Sequence, residues 1–233
     1  MSASDTPSTI DFPFARRLSW RLAVASVGVT MWALFAPRPY ALVIGLCALA
    51  PWVAVILIRL RPELSLLGGE RKAGAEELAM AWAAPATALF VRSLDHDFLN
   101  PAALMVASIL PGAALWTAMW LADRRRQSRT TMICSALVAG LWGWGVLAYA
   151  DVALNRGRFE IATGQITNMA LSSREQGLMD VVAVIDGRQR SFDDMPVSGA
   201  VYASHHMGGT VCLEIHTGLL GVRHAYARAC PLL

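Results

Sequence analysis

Residues 131–150, TMICSALVAGLWGWGVLAYA, decide how this chain is organised. The run is twenty residues long and carries no charge. At about 1.5 Å of rise per residue it reaches roughly 30 Å as a helix, the thickness of a bilayer's hydrocarbon core. Arg124, Arg125, Arg126 and Arg129 stand before it and Asp151 follows it. Upstream, one apolar stretch succeeds another; downstream, residues 151–233 are polar and punctuated by glycine. The sequence therefore predicts an α+β membrane protein, with about five transmembrane helices followed by a small C-terminal β-barrel, SH3-like or OB-like.

Composition agrees with this division. The chain is 55% hydrophobic and 16% charged, against about 25% charged in an ordinary soluble domain. Residues 151–233 hold seven arginines against eight carboxylates, so the β region is close to neutral and nucleic acid is excluded as a partner. Lys72 is the single lysine among 20 basic residues, a compositional hint of a GC-rich bacterial genome.

Residues 1–15 are small and polar and read as a disordered tail, ahead of a helical domain over 16–150 and an extramembrane β domain over 151–233. The apolar run 22–36 follows Arg16, Arg17 and Arg21, like a signal peptide. Cleavage after Ala36 would put Leu34 where a small residue is required, and Pro37 follows, so an uncleaved anchor is predicted. Further spans are read at 41–60, 78–94, 102–122 and 131–150, with Asn100 as N-cap and Pro101 as first helical residue of the fourth. The third is short and contains Pro85 and Arg92. If all five cross and the N-terminus is inside, eleven basic residues fall on inner loops and two, Arg38 and Arg92, on outer loops. The positive-inside rule thus favours five spans in a bacterial inner membrane, with the N-terminus cytoplasmic and the C-terminal domain periplasmic. The bilayer is then the first partner. In the fifth span Ser135, Ala139 and Gly143 recur every four residues, with Ala136 and Gly140 beside them. Small residues at that spacing let helices approach closely, either within the bundle or in a homo-oligomer.

In the β region, a strand over 158–169 has Gly164 as a point of bending, and the run LMDVVAVID leads through Asp186 and Gly187 into RQRSF. Asp-Gly between such runs predicts a two-residue hairpin. Met195 and Pro196 are read as a strand break and 201–206 as a connector. TVCLEIH and VRHAYARAC, joined by TGLLG, complete five short strands. The layout, with Val182, Val184, Asp186 and Gly187 in its hairpin, slightly resembles the NfeD-like membrane proteins over about one fifth of the chain. That resemblance would imply a helper of membrane scaffolds, and no family is assigned from it.

Several side chains are candidates for chemistry. Cys212 and Cys230 would share an oxidising compartment and are disulfide candidates. A hairpin pairing 216 with 222 would set Cys212 opposite Tyr226, so the bridge needs a bulge or a returning tail. Alternation puts Cys212, Glu214 and His216 on one strand face and His224 on the like face of the next, with His205 and His206 upstream. These are weak metal candidates, because no Cys-x-x-Cys or His-x-x-x-His spacing is present. Asp95, His96 and Asp97 form an outer-loop cluster that could bind a divalent ion or tune a proton site, or simply connect two helices. Pro51, Pro85 and Pro111 fall inside spans, as in the broken helices of transporters, yet charged residues are absent from the span centres where coupled transporters place them. No nucleophile elbow, phosphate loop or carboxylate pair is visible, and Ser198 and Ser204 have no evident base. No cofactor is implied. The leading expectation is a non-enzymatic scaffold or assembly factor whose barrel binds other envelope proteins. Alternatives are a transporter or channel subunit and a thiol or metal site in the barrel.

Overall fold

A computed structural model describes residues 12–35, 39–61, 63–66, 76–123, 128–154, 159–171 and 177–230. The tail through residue 11, Arg38, the loop residues Gly68, Gly69, Arg71 and Lys72, and the Arg124, Arg125, Arg126 cluster lie outside the described residues. The elements run α1 (Phe12–Phe35), α2 (Tyr40–Leu60), β1 (Leu64–Ser65), β2 (Glu76–Glu77), α3 (Ala79–Ser93), β3 (Asp97–Phe98), α4 (Pro101–Ala122) and α5 (Arg129–Ala153). They continue with β4 (Phe159–Leu171), β5 (Gly177–Ile185), β6 (Arg188–Val197), α6 (Gly199–Ser204), β7 (Thr210–Thr217) and β8 (Arg223–Arg228). The chain divides into two compact units: residues 1–93 with 107–147, and residues 94–106 with 148–233.

In the helical unit, α1, α2, α4 and α5 are long and apolar enough to cross a membrane. At 15 residues, α3 is shorter than the 17-residue stretch read from the sequence. Glu76 and Glu77 are taken up by pairing with β1, and Leu94 turns away toward β3. The α1 helix begins at Phe12, inside the stretch read as tail, and α5 starts at Arg129 behind Ser128, whose Oγ accepts the Thr131 N–H at 3.1 Å. Helix α3 packs against both α1 and α2.

Small residues and indoles bring these helices together. A side chain at Gly143 would meet the Ser108 carbonyl at 2.6 Å and the Gly112 nitrogen at 2.8 Å, so α4 and α5 touch backbone to backbone. The Trp116 indole donates to Ser135 Oγ at 3.2 Å across the same pair. Of the two small-residue stripes on α5, Ser135 and Ala139 are buried with Gly143 on the α4 side, whereas Ala136 is exposed and Gly140 has open space beyond its Cα. Trp142 donates to the Ala48 carbonyl of α2 at 3.2 Å and packs edge-on against Trp52. Asp123, at the end of α4, accepts from Ser65 Oγ at 2.9 Å and from the Leu66 N–H at 3.0 Å, fastening the β1 turn.

The second unit is a nearly closed antiparallel sheet of six strands in the order β3-β8-β7-β4-β5-β6. The sixth strand is the difference from the sequence reading: Asp97 and Phe98, from the α3–α4 connection, pair with Ala225 and His224. Strand β4 serves two neighbours, β7 through its first half and β5 through its second. It changes partner at Gly164, where any side chain would collide with Val181. Asp186 and Gly187, both at positive φ, make the β5–β6 turn. Pro196 does not end β6: the strand continues to Val197, and an edge strand tolerates the missing donor. A bulge opposite Asp180 gives Asp194 a positive φ, and the Asp180 carboxylate takes its N–H at 2.8 Å. The core is Ile166, Met179, Val181, Phe192, Met195, Leu213 and Ile215 with smaller neighbours, and Leu99 joins it from the inter-helix segment. Side chains complete the closure, since Arg190 donates to the Leu99 carbonyl at 3.0 Å and Arg223 pairs with Asp186.

Candidate functional site

The barrel gathers its imidazoles and rings along the outer face of β4, β7 and β8. Register decides this: Phe159 pairs with His216, His216 with His224, and His224 with Phe98 of β3. Four strands thus lay one transverse row. The His216 and His224 rings stack with centroids 5.6 Å apart and planes 11° apart. Tyr226 meets both edge-on, and Phe98 stands 6.5 Å from His224. Beyond Phe98, His96 lies 6.0 Å from that ring and 5.6 Å from Tyr149 of α5. The second row is Ile161, Glu214 and Tyr226, with Glu214 paired to Arg228 and 3.5 Å from His216 Nε2.

The electrostatics divide the row. His224 is 1% exposed, and neither ring nitrogen has a hydrogen-bond partner among the described residues. Burial, then the charges His216 and His96 can carry, push its pKa down to about 4; the Val222 backbone pulls weakly the other way without hydrogen-bond geometry. Glu214 is held below the usual carboxylate range, chiefly by its hydrogen bond to Arg228. Asp97 is pushed up to about 6 by burial and by the nearby charge of Asp193.

Two clamps hold the β7–β8 hairpin. Asp151, in the last turn of α5, is buried and accepts the Leu220 N–H at 2.6 Å; Gly218 is required there because a side chain would collide with that carboxylate. Asn100 Oδ1 accepts the Arg223 N–H at 2.8 Å, and Leu99 donates to the Arg223 carbonyl at 2.7 Å. The Asn100 side chain therefore serves β8, a different use from the helix cap read in the sequence. The hairpin itself pairs 217 with 223, with a five-residue turn of the expected length moved one residue along the chain, because Gly218 to Val222 close around Asp151. Cys212 accordingly faces Arg228, and the chain two residues on returns Cys230 to it. Cys212 and Cys230 are bonded, with Cα atoms 4.9 Å apart.

The disulfide removes Cys212 as a metal ligand. His205 ends α6, its Nδ1 2.7 Å from the Val201 carbonyl, and His206 is exposed on the following turn. Among the described residues no group of three His, Cys, Asp or Glu side chains is placed to hold a metal ion, so the geometry gives the metal reading no support. Ser204 Oγ lies 2.9 Å from His205 Nδ1, yet that nitrogen faces the Val201 carbonyl, which makes it a donor and leaves no base for the serine. Ser198 caps α6.

The three prolines leave their helices continuous: α2, α3 and α4 run through Pro51, Pro85 and Pro111. The Ala81 carbonyl, which Pro85 deprives of its donor, accepts Ser26 Oγ of α1 at 2.8 Å. No broken helix lining a site is present among the described residues.

Sequence reading placed His216 and His224 on like faces but missed their neighbours. The sequence puts His96 in an outer loop and Tyr149 in a membrane helix, and it singles out no role for Phe98. The available signal was the sequence HDFL, a short polar–apolar alternation between two helices, too brief to separate from a connection. Compared with protein-family models, curated proteins and solved structures, the chain matches none at a significant level.

Proposed function

We propose that this chain is a multi-pass inner-membrane protein that displays its barrel on the periplasmic face, where the barrel binds another envelope protein as a scaffold or assembly factor without catalysis. The observation that carries this reading is the Cys212–Cys230 disulfide, since such bonds persist in oxidising compartments. The arginine asymmetry supports the same orientation provided α3 crosses as a fifth span, and α3 packs between two neighbours as an integral member of the bundle. On the barrel, Phe159 and Ile161 are about half exposed beside Tyr226, within a charged rim of Glu214 and Arg228. Rings and aliphatics framed by charge suit a protein partner.

The test is labelling of Cys212 and Cys230 with a membrane-impermeant maleimide in spheroplasts, in a background lacking Cys47 and Cys134. Labelling only after reduction is expected. Labelling only after lysis would put the barrel in the cytoplasm and end this reading. A photo-crosslinker at Phe159 or Ile161 should then capture a discrete envelope protein; capture of lipid alone would remove the partner.

A further inference from the structure

We propose that segment 95–100 is a proton-released latch, whose two-residue strand β3 stays on the barrel only while the His224 imidazole beneath it is neutral. The geometry is that of a buried ring with no place for charge. His224 sits opposite Phe98 in the β3–β8 ladder and is walled by His216, Phe98 and Tyr226, with both nitrogens unpartnered among the described residues. A protonated ring there would have two N–H donors and, near them, only the Val222 backbone outside hydrogen-bond geometry, a costly state that undocking relieves.

Among the described residues no carboxylate bonds the ring. From β7 comes His216, itself against Glu214; from the segment before β3, His96, backed by Tyr149 of α5; from β8, Tyr226 and Arg223, the latter held by Glu160 and Asp186. The charges that His216 and His96 can carry oppose a cation at His224 further. Asp97 of β3 acts in the opposite sense, because it shares its surroundings with Asp193 of β6 and docks more easily when protonated. Acid works against the two ladder pairs, the bonds of Leu99 and Asn100 to Arg223 and of Arg190 to Leu99, the seat of Leu99 in the core and the contact of His96 with Tyr149.

The titration agrees with the geometry. His224 is held near 4 in the fold and returns toward about 6.5 when released, so acid erodes docking between those values. Asp97, held near 6 when docked, opposes this below pH 6, but it is partly accessible to solvent and contributes less.

The test is hydrogen exchange of the full chain in nanodiscs at pH 7 and pH 5, corrected for intrinsic rates. D97N, which lacks the opposing titration, should lose roughly tenfold in protection over residues 95–100 and 222–226, while β4 and β5 keep theirs. The wild type should lose less, about a fewfold. H224F should lose none and gain slightly as Asp97 protonates. A flat D97N profile, an equal loss in D97N/H224F, or a uniform loss across the barrel would each overturn the latch. The D97N profile and its confinement to the latch decide the matter even if H224F does not fold.

Discussion

At the scale of single residues, the side chains that matter most repair a defect or leave one in place. Ser26 repairs one: its hydroxyl meets the carbonyl that Pro85 leaves without a donor. Ser26→Ala should destabilise the helical unit by about 1 kcal/mol, measured by reversible unfolding in mixed micelles. The same change at Thr30 should do little, since its hydroxyl is buried without a partner among the described residues. Asp97 leaves a defect in place. Its carboxyl is raised to about 6 in the fold against about 3.9 in the unfolded chain, so the native state binds the proton more tightly. The stability that Asp97 contributes is therefore greatest below about pH 4 and is lost as pH rises through 6. Asp97→Asn should raise barrel stability at pH 7.5 by about 1 kcal/mol, after allowance for its partial exposure. In thermal melts across pH, that advantage should vanish toward pH 4. The pairing of Ser26 with Pro85 could not be read from the sequence, because the two lie on different helices and nothing local links them.

At the scale of elements, glycine sets how closely two helices pack. Gly143 leaves no room for a side chain between α4 and α5, whereas Gly140, one stripe over, faces open space. Gly143→Leu should force the pair apart, costing about 2–3 kcal/mol as an overpacked site, with loss of the Trp116–Ser135 hydrogen bond. Gly140→Leu should leave the fold intact. If the chain associates through α5, Gly140→Leu is the variant whose oligomeric state changes in analytical ultracentrifugation. The stripes were legible in the sequence as spacing alone; which one is spent inside the chain is set by the α4–α5 crossing. The Asp186-Gly187 hairpin was fully legible, because two positive φ angles in succession are a local demand that only a few residue pairs meet. Pro196 misled for the complementary reason: whether a missing N–H matters depends on whether the strand is an edge, and that is decided by its neighbours.

At the scale of the whole molecule, the barrel is held by closures distant in sequence: Leu99 in its core, Asp151 in its hairpin turn and the 212–230 disulfide across its last strand pair. The bond closes a loop of 18 residues, which constrains the unfolded chain by about 3 kcal/mol in the loop-entropy picture. Cys212→Ala with Cys230→Ala should lower the barrel's unfolding free energy by about that amount, and reductant should have the same effect on the wild type and none on the variant. By itself the sequence determined the division into apolar helices and a polar β region, the Asp-Gly turn and the run of β4 through Gly164. Each follows from hydrophobic length, period or backbone freedom, which are properties of neighbouring residues. Only the tertiary structure decided that α3 is short, that His96 and Phe98 belong to the barrel, and that His224 lies buried with no hydrogen-bond partner among the described residues. Those outcomes come from which segments share a ladder, and a two-residue strand carries too little local preference to announce its partner before the sheet has formed.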